Sequence, residues 1–256
     1  MGEKTATLTR WVNIIAFVFT VTINGLAGGT TLIGGKVTAE VSDSNPTLIT
    51  PAGYVFSIWG IIYVLLGIFV VYQALPRNRG KDFQKKIGWL FTLSSIANIV
   101  WIFLWQLEYL VFSVVLIFFL LATLILIYLR LDIGRSKVAI GEKLAVHLPF
   151  SVYLGWITIA SIANVAVALV SLKWNGFGIS SETWAIVVII VALLITLIVL
   201  ATRRDMAYSL VIIWALIGIA AKQSVNQTIV MITEICAVLI AIAAIASIII
   251  YRLRNK

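Results

Sequence analysis

Eight apolar blocks, separated by short polar gaps, run through the 256 residues of this chain. Most are close to the ~20 residues that cross a hydrocarbon core of about 30 Å. Inside lipid a segment must satisfy its own backbone hydrogen bonds, which leaves only helices and closed barrels. The blocks are too long for barrel strands and lack their strict alternation. They predict helices at about 11–33, 54–75, 87–107, 109–130, 144–171, 184–202, 206–222 and 227–251. The expected fold is an all-α integral membrane protein, a bundle of about eight transmembrane helices.

The gaps carry a second signal. If the amino terminus lies inside, the inner segments hold Lys4, Arg10, Arg77, Arg79, Lys81, Lys85, Lys86, Arg130, Arg135, Lys137, Lys143, Arg203, Arg204, Arg252, Arg254 and Lys256. The outer segments hold only Lys36, Lys173 and Lys222, so 16 of the 19 basic residues fall on one side. That asymmetry holds at every loop and orients a multi-pass protein in a cell membrane with both termini cytoplasmic. It also accounts for the net charge of +9. The basic residues meet anionic lipid, and no basic face interleaved with aromatic residues suggests nucleic acid. With 62% hydrophobic and 11% charged residues, the chain has too little polar surface for a soluble domain of this length.

The first block mimics a signal peptide: Lys4 and Arg10, then an apolar run, then Ala27-Gly28-Gly29. The run continues to about Gly35, so it reads as a retained helix. The single cysteine, Cys236, excludes a disulfide within the chain. Gly25-x-x-x-Gly29 fits close helix contact. The longest loop, about 34–53, is polar and ends in Thr50-Pro51-Ala52-Gly53.

Polar and aromatic residues inside spans mark function more often than they do in soluble proteins. Asn24, Trp59, Tyr63, Asn98, Trp101, Trp105, Asn164, Trp214 and Glu234 fall in one layer, roughly 8–15 Å below the outer surface at ~1.5 Å per residue. Asn98, Trp101 and Trp105 share a helix face; so do Trp156, Ala160 and Asn164, and so do Trp59, Tyr63 and Gly67. Three such stripes can converge on an aromatic cavity with a few amide groups, the make-up of a pocket for a flat apolar ligand. Two roles fit the three asparagines, packing between helices or lining the pocket. Trp11, Trp89, Trp174 and Trp184 lie near helix ends and fit the interfacial belt. Glu234 is the one carboxylate well inside a span; it fits a proton or cation site, or a protonated group bonded to the neighbouring helix. His147, at the inner end of the fifth helix, fits a capping role better than a haem ligand. No catalytic or metal-binding constellation is present.

Helix 2 and its approach read Pro51-Ala-Gly-Tyr-Val-Phe-Ser-Ile-Trp-Gly-Ile-Ile-Tyr63-Val-Leu-Leu-Gly67. This run resembles the signature of the TspO/MBR family, the tryptophan-rich sensory proteins related to the mitochondrial translocator protein. Asn98-x-x-Trp101 with Trp105, and Trp156-x-x-x-Ala160-x-x-x-Asn164, resemble the family pattern on helices 3 and 5. The pattern's second proline is Ala52 here, its tryptophan is Tyr54, and Gly53 stands one residue closer to Trp59. After Asn164 the aromatic residue of the proposed sterol motif is missing.

The resemblance implies a five-helix core over residues 1–175, with three additional helices over 176–256. It implies a pocket drawn from helices 1, 2, 3 and 5 under the first loop, and ligand-binding roles for Asn24, Pro51, Gly53, Tyr54, Phe56, Trp59, Tyr63, Asn98, Trp101, Trp105, Trp156, Ala160 and Asn164. The ligand expected is a porphyrin, haem or another flat hydrophobic molecule, with no cofactor required and a homodimer as the partner state. A small transporter using Glu234 and helices 6–8, and a light-dependent porphyrin-degrading enzyme, are the alternative functions.

Overall fold

The computed structural model describes residues 3–254, and all regular structure among them is helical. Lys256, in the expected cytoplasmic cluster, lies outside the described residues, as do the side chains of Lys4 and Arg254. Eight long helices form the bundle: α1 Glu3–Gly29, α2 Ile58–Ala74, α3 Leu90–Gln106, α4 Leu110–Leu131, α5 Leu148–Ser171, α6 Ser181–Arg203, α7 Met206–Lys222 and α8 Gln227–Arg254. Six spans, counted with their adjoining turns, are long and apolar enough to cross a membrane. α3 and α7, at 17 residues each, reach about 25 Å, the lower end of what a span needs. The short helix Asp82–Ile87 leads into α3 through a kink at Gly88, where φ is +49°.

α5 is the hub. Half of its apolar window is buried inside the bundle, against 22–39% for the other long spans, and it packs on α2, α4 and α7. α1 lies on α2 and α3; α8 lies on α6 and α7. The outward faces carry exposed leucine, isoleucine, valine and phenylalanine, as a lipid-facing surface requires. α1 reverses the usual amphipathic logic. Its buried side chains among the described residues are Thr9, Asn13, Thr20, Asn24 and Ala27, so it docks through polar groups and turns its apolar face outward. Gly25 and Gly29 have open space where a Cβ would project, and make no close helix contact within the chain.

The end bearing the termini is held by buried polar bonds. Asp205 caps α7 by accepting from the Tyr208 backbone N–H at 3.1 Å, and its carboxylate also accepts from the Tyr128 hydroxyl at 2.9 Å and from the Ser151 hydroxyl. This buried carboxylate thereby ties α7 to α4 and α5. Arg203 pairs with Asp132 at 2.6 Å. A π turn at Lys143–His147 precedes Pro149, whose missing N–H cannot continue a regular ladder. His147 is buried there, with no partner for Nε2, about 13 Å along α5 from Trp156 by helix rise.

At the opposite end, residues 30–52 fold over the bundle around a short helix, Thr38–Asp43. Gln106, at the tip of α3, donates to the carbonyls of Ala27 at 3.1 Å, Ile33 at 3.3 Å and Lys36 at 2.7 Å. A Cβ on Gly34 would lie 2.1 Å from the Gln106 carbonyl oxygen, so this turn takes only glycine. Lys36 also pairs with Glu108 at 2.6 Å.

Candidate ligand pocket

The three helix stripes converge beneath this loop. On α2, Trp59 stacks on Tyr63 at 5.7 Å between ring centroids and meets Trp101 of α3 at 5.8 Å. On α5, Tyr153 and Trp156 each present an edge to Trp59 at 6.1 Å. Trp101 stacks on Trp105 at 5.9 Å, and Phe56 meets Trp156 at 5.9 Å. Helical spacing is the cause: residues three, four, seven or eight apart share a face, so each helix offers a column of rings to its neighbours.

A cavity of about 30 Å³ lies among these rings. Trp59, Trp101 and Trp105 line it from α2 and α3. Trp156, Ile159, Ala160, Ala163 and Asn164 line it from α5. Thr38, Ser42, Pro51 and Phe56 close it from the loop and the turn before α2. The volume suits a water molecule and is an order of magnitude below the roughly 300–1,000 Å³ of pockets that enclose drug-sized ligands.

The loop is fastened on two sides. Trp105 Nε1 donates to the Thr38 carbonyl at 3.1 Å. Toward α7, the Ala52 N–H donates to the Gly218 carbonyl at 3.0 Å, Trp214 Nε1 to the Val55 carbonyl at 3.3 Å, and Gln223 Nε2 to the Thr47 carbonyl at 3.0 Å. Lys222 pairs with Asp43, and Tyr54 packs edge-on against Trp214 at 5.5 Å. The absence of a side chain on Gly218 permits this approach, since a Cβ there would lie 2.2 Å from Val55 Cγ2.

The amides divide by role. Asn24 Nδ2 donates to Asn98 Oδ1 at 2.6 Å, and Asn98 Nδ2 to the Tyr153 hydroxyl at 3.0 Å, a buried chain joining α1, α3 and α5 away from the cavity lining. Asn164 does line the cavity, while its oxygen accepts from Trp101 Nε1 at 2.8 Å and its amide nitrogen donates to Ser113 of α4 at 2.8 Å. Gly53, Tyr54 and Tyr63 also stand outside the lining; Tyr63 backs Trp59, and its buried hydroxyl has no partner. Glu234 is exposed on the outer face of α8, which contributes nothing to the cavity.

Some contributors carry little signal in the sequence. Thr38 and Ser42 sit in a short, mostly polar helix that contacts α1 through the Thr38 hydroxyl and α3 through Trp105. Ala163 and Ile159 do show a signal, lying seven and three residues after Trp156 on the same α5 stripe.

Compared with known families, the chain matches the TSPO-like protein family over residues 10–248. It belongs to that family. No curated protein and no solved structure matches it. The TSPO-like match runs on past α5 through α6, α7 and most of α8, so the helix that fastens the loop lies within the region the family shares. Membership and the apolar spans together make the chain a multi-pass membrane protein of the translocator type.

Proposed function

We propose that this TSPO-like chain captures a flat hydrophobic molecule between the rings of Trp59, Trp101 and Trp156, with residues 30–52 as a lid. The observation that carries the reading is the convergence of four indoles from three helices on one cavity. Stacking surfaces of this breadth, with few hydrogen-bonding groups, suit a planar apolar ligand such as a tetrapyrrole. Trp59 and Trp101 stand 5.8 Å apart. A ring slipped between them needs about 7 Å, two contact distances of roughly 3.5 Å. Binding therefore requires the rings to part and the lid to lift. The charge asymmetry supports an orientation with both termini cytoplasmic, which puts the lid on the outer side of a cell membrane.

The test is quenching of tryptophan fluorescence in detergent-purified protein by protoporphyrin IX and by its uncharged dimethyl ester. Saturable quenching by either, weakened in Trp101→Phe and Asn164→Ala, is the expected result. Linear quenching by both, identical in all three proteins, would mean partition into detergent and would refute the pocket.

A further inference from the structure

Glu234 lies well inside the last span and faces away from the bundle. It stands seven residues after the start of α8, about 10 Å along the helix from its outer end. Among the described residues, nothing bonds to it or pairs with it. The helices packed on α8 are α6 and α7. Their charged groups, Glu182, Arg203 and Lys222, lie in the end turns of those helices, away from this depth. On its own face Glu234 is flanked by Met231, Ile235 and Val238, at 54%, 48% and 56% exposure. A carboxyl group turned to hydrocarbon is costly, and such groups in spans almost always face a bundle interior or a partner. One copy of the chain supplies Glu234 with neither.

We propose that α8 is an interface between two copies of this chain, closed by a pair of Glu234 side chains. Copies inserted with one topology present α8 in parallel and at one depth. A twofold axis along the membrane normal then sets Glu234 opposite its counterpart. In hydrocarbon the carboxyl group is neutral, and a neutral carboxyl is both donor and acceptor. Two such groups across the axis satisfy each other through two O–H···O bonds, which an apolar helix cannot offer. The rest of the face fits the same pairing. Gln227, Met231, Glu234, Val238, Ala241 and Ile245 follow the alternating four- and three-residue steps of a coiled-coil seam, and all are exposed or half-buried. The buried side of α8, with Ile229, Thr233, Cys236 and Ile240, is turned the other way, and α6 and α7 take it up. Ala241, two turns inward of Glu234, lets the paired helices come close. This interface is independent of the pocket proposed above.

The test uses the full chain in phosphatidylcholine vesicles, with donor and acceptor dyes on a cysteine placed in the exposed outer turn by Ser224→Cys; native Cys236 is buried. Energy transfer is followed as added lipid dilutes the protein. Transfer above that of random mixing is expected, with association about tenfold weaker in Glu234→Ala, the scale of hydrogen bonds between membrane helices. Glu234→Gln, whose amide is again donor and acceptor, should associate as the unaltered chain does. Glu234 bonds to nothing within the chain, so neither change acts through misfolding. Transfer no greater than random mixing, or equal association of the Ala variant and the unaltered chain, overturns the interface. A Gln variant as weak as the Ala variant refutes the self-pairing and points to an ion pair with a different partner. Oxidative cross-linking locates the face: Met231→Cys should give a dimer band, and Phe112→Cys, exposed on α4, should not. The reverse pattern would put the contact on another helix and overturn the assignment. Porphyrin quenching should be the same in Glu234→Ala as in the unaltered chain, so failure of this interface leaves the pocket standing.

Discussion

Gly218→Ala tests whether α7 holds the lid shut. The new Cβ would lie 2.2 Å from Val55 Cγ2 and 3.2 Å from Pro51 Cβ. Carbon atoms in contact stand about 3.6 Å apart, so Val55 must retreat by about 1.4 Å from the built position. Val55 is fully buried and β-branched, with little rotamer freedom to absorb the shift. The backbone on either side is tied to α7 by the Ala52–Gly218 and Trp214–Val55 hydrogen bonds. The displacement therefore passes to residues 51–56, which carry Pro51 and Phe56 of the cavity wall. Overpacking of this kind costs roughly 1–3 kcal/mol. Taken up by the lid, it raises the open fraction roughly 5- to 150-fold. The assay is the rate at which a small maleimide modifies a cysteine placed in the cavity by Ala163→Cys, with and without Gly218→Ala; native Cys236 is buried and supplies the background. Gly60→Ala, in open space on α2, is the control and should leave the rate unchanged. An unchanged rate in the Gly218→Ala protein would refute the latch, whatever its melting temperature does.

Three further outcomes follow from the same contacts. Asn98→Ala should lower stability by only about 0.6–1.7 kcal/mol, the range of hydrogen bonds between membrane helices, and leave ring-ligand affinity intact; a loss of affinity by quenching would return Asn98 to the pocket. Gln106→Ala removes three bonds to the chain between Ala27 and Lys36, and at about 1 kcal/mol each should expose residues 30–37 to protease well before the bundle melts. Asp205→Ala leaves Tyr128 and Ser151 without their acceptor and uncaps α7; a fall of several °C in thermal stability, in step with about 2–3 kcal/mol for bonds to a buried charge, is expected, and a fall below one degree would contradict its role as the tie.

Much of the architecture is legible in the sequence because a bilayer reads length and hydropathy directly. The apolar blocks give the eight helices, and periodicity brings Trp59, Trp101 and Trp156 together because helical spacing dictates a face. Depth alone does not dictate a direction. Asn24 and Asn98 share the layer of the tryptophans, yet their faces turn toward each other and Tyr153. Glu234 shares it too, and its face turns outward. The lid helix escapes periodicity because it is only six residues long, Thr38–Asp43, and is held from outside, with Trp105 of a distant segment bonding the Thr38 carbonyl. Asp205 follows two arginines in a short turn and reads as a solvated charge; its burial comes from Tyr128 and Ser151, which are 77 and 54 residues away in the chain.

The docking face of α1 bears on how the protein is made. α1 has the lowest mean hydropathy of the six long spans, 1.6 against as much as 3.2, because Asn13, Thr20 and Asn24 interrupt it. It leaves the ribosome before α2 and α3, and the partners of Asn13 and Asn24, which are Gln73, Thr92 and Asn98, are 60 to 79 residues behind. During that interval its asparagines face lipid or the insertion machinery. Release of α1 into the bilayer is therefore most favourable once α3 has followed.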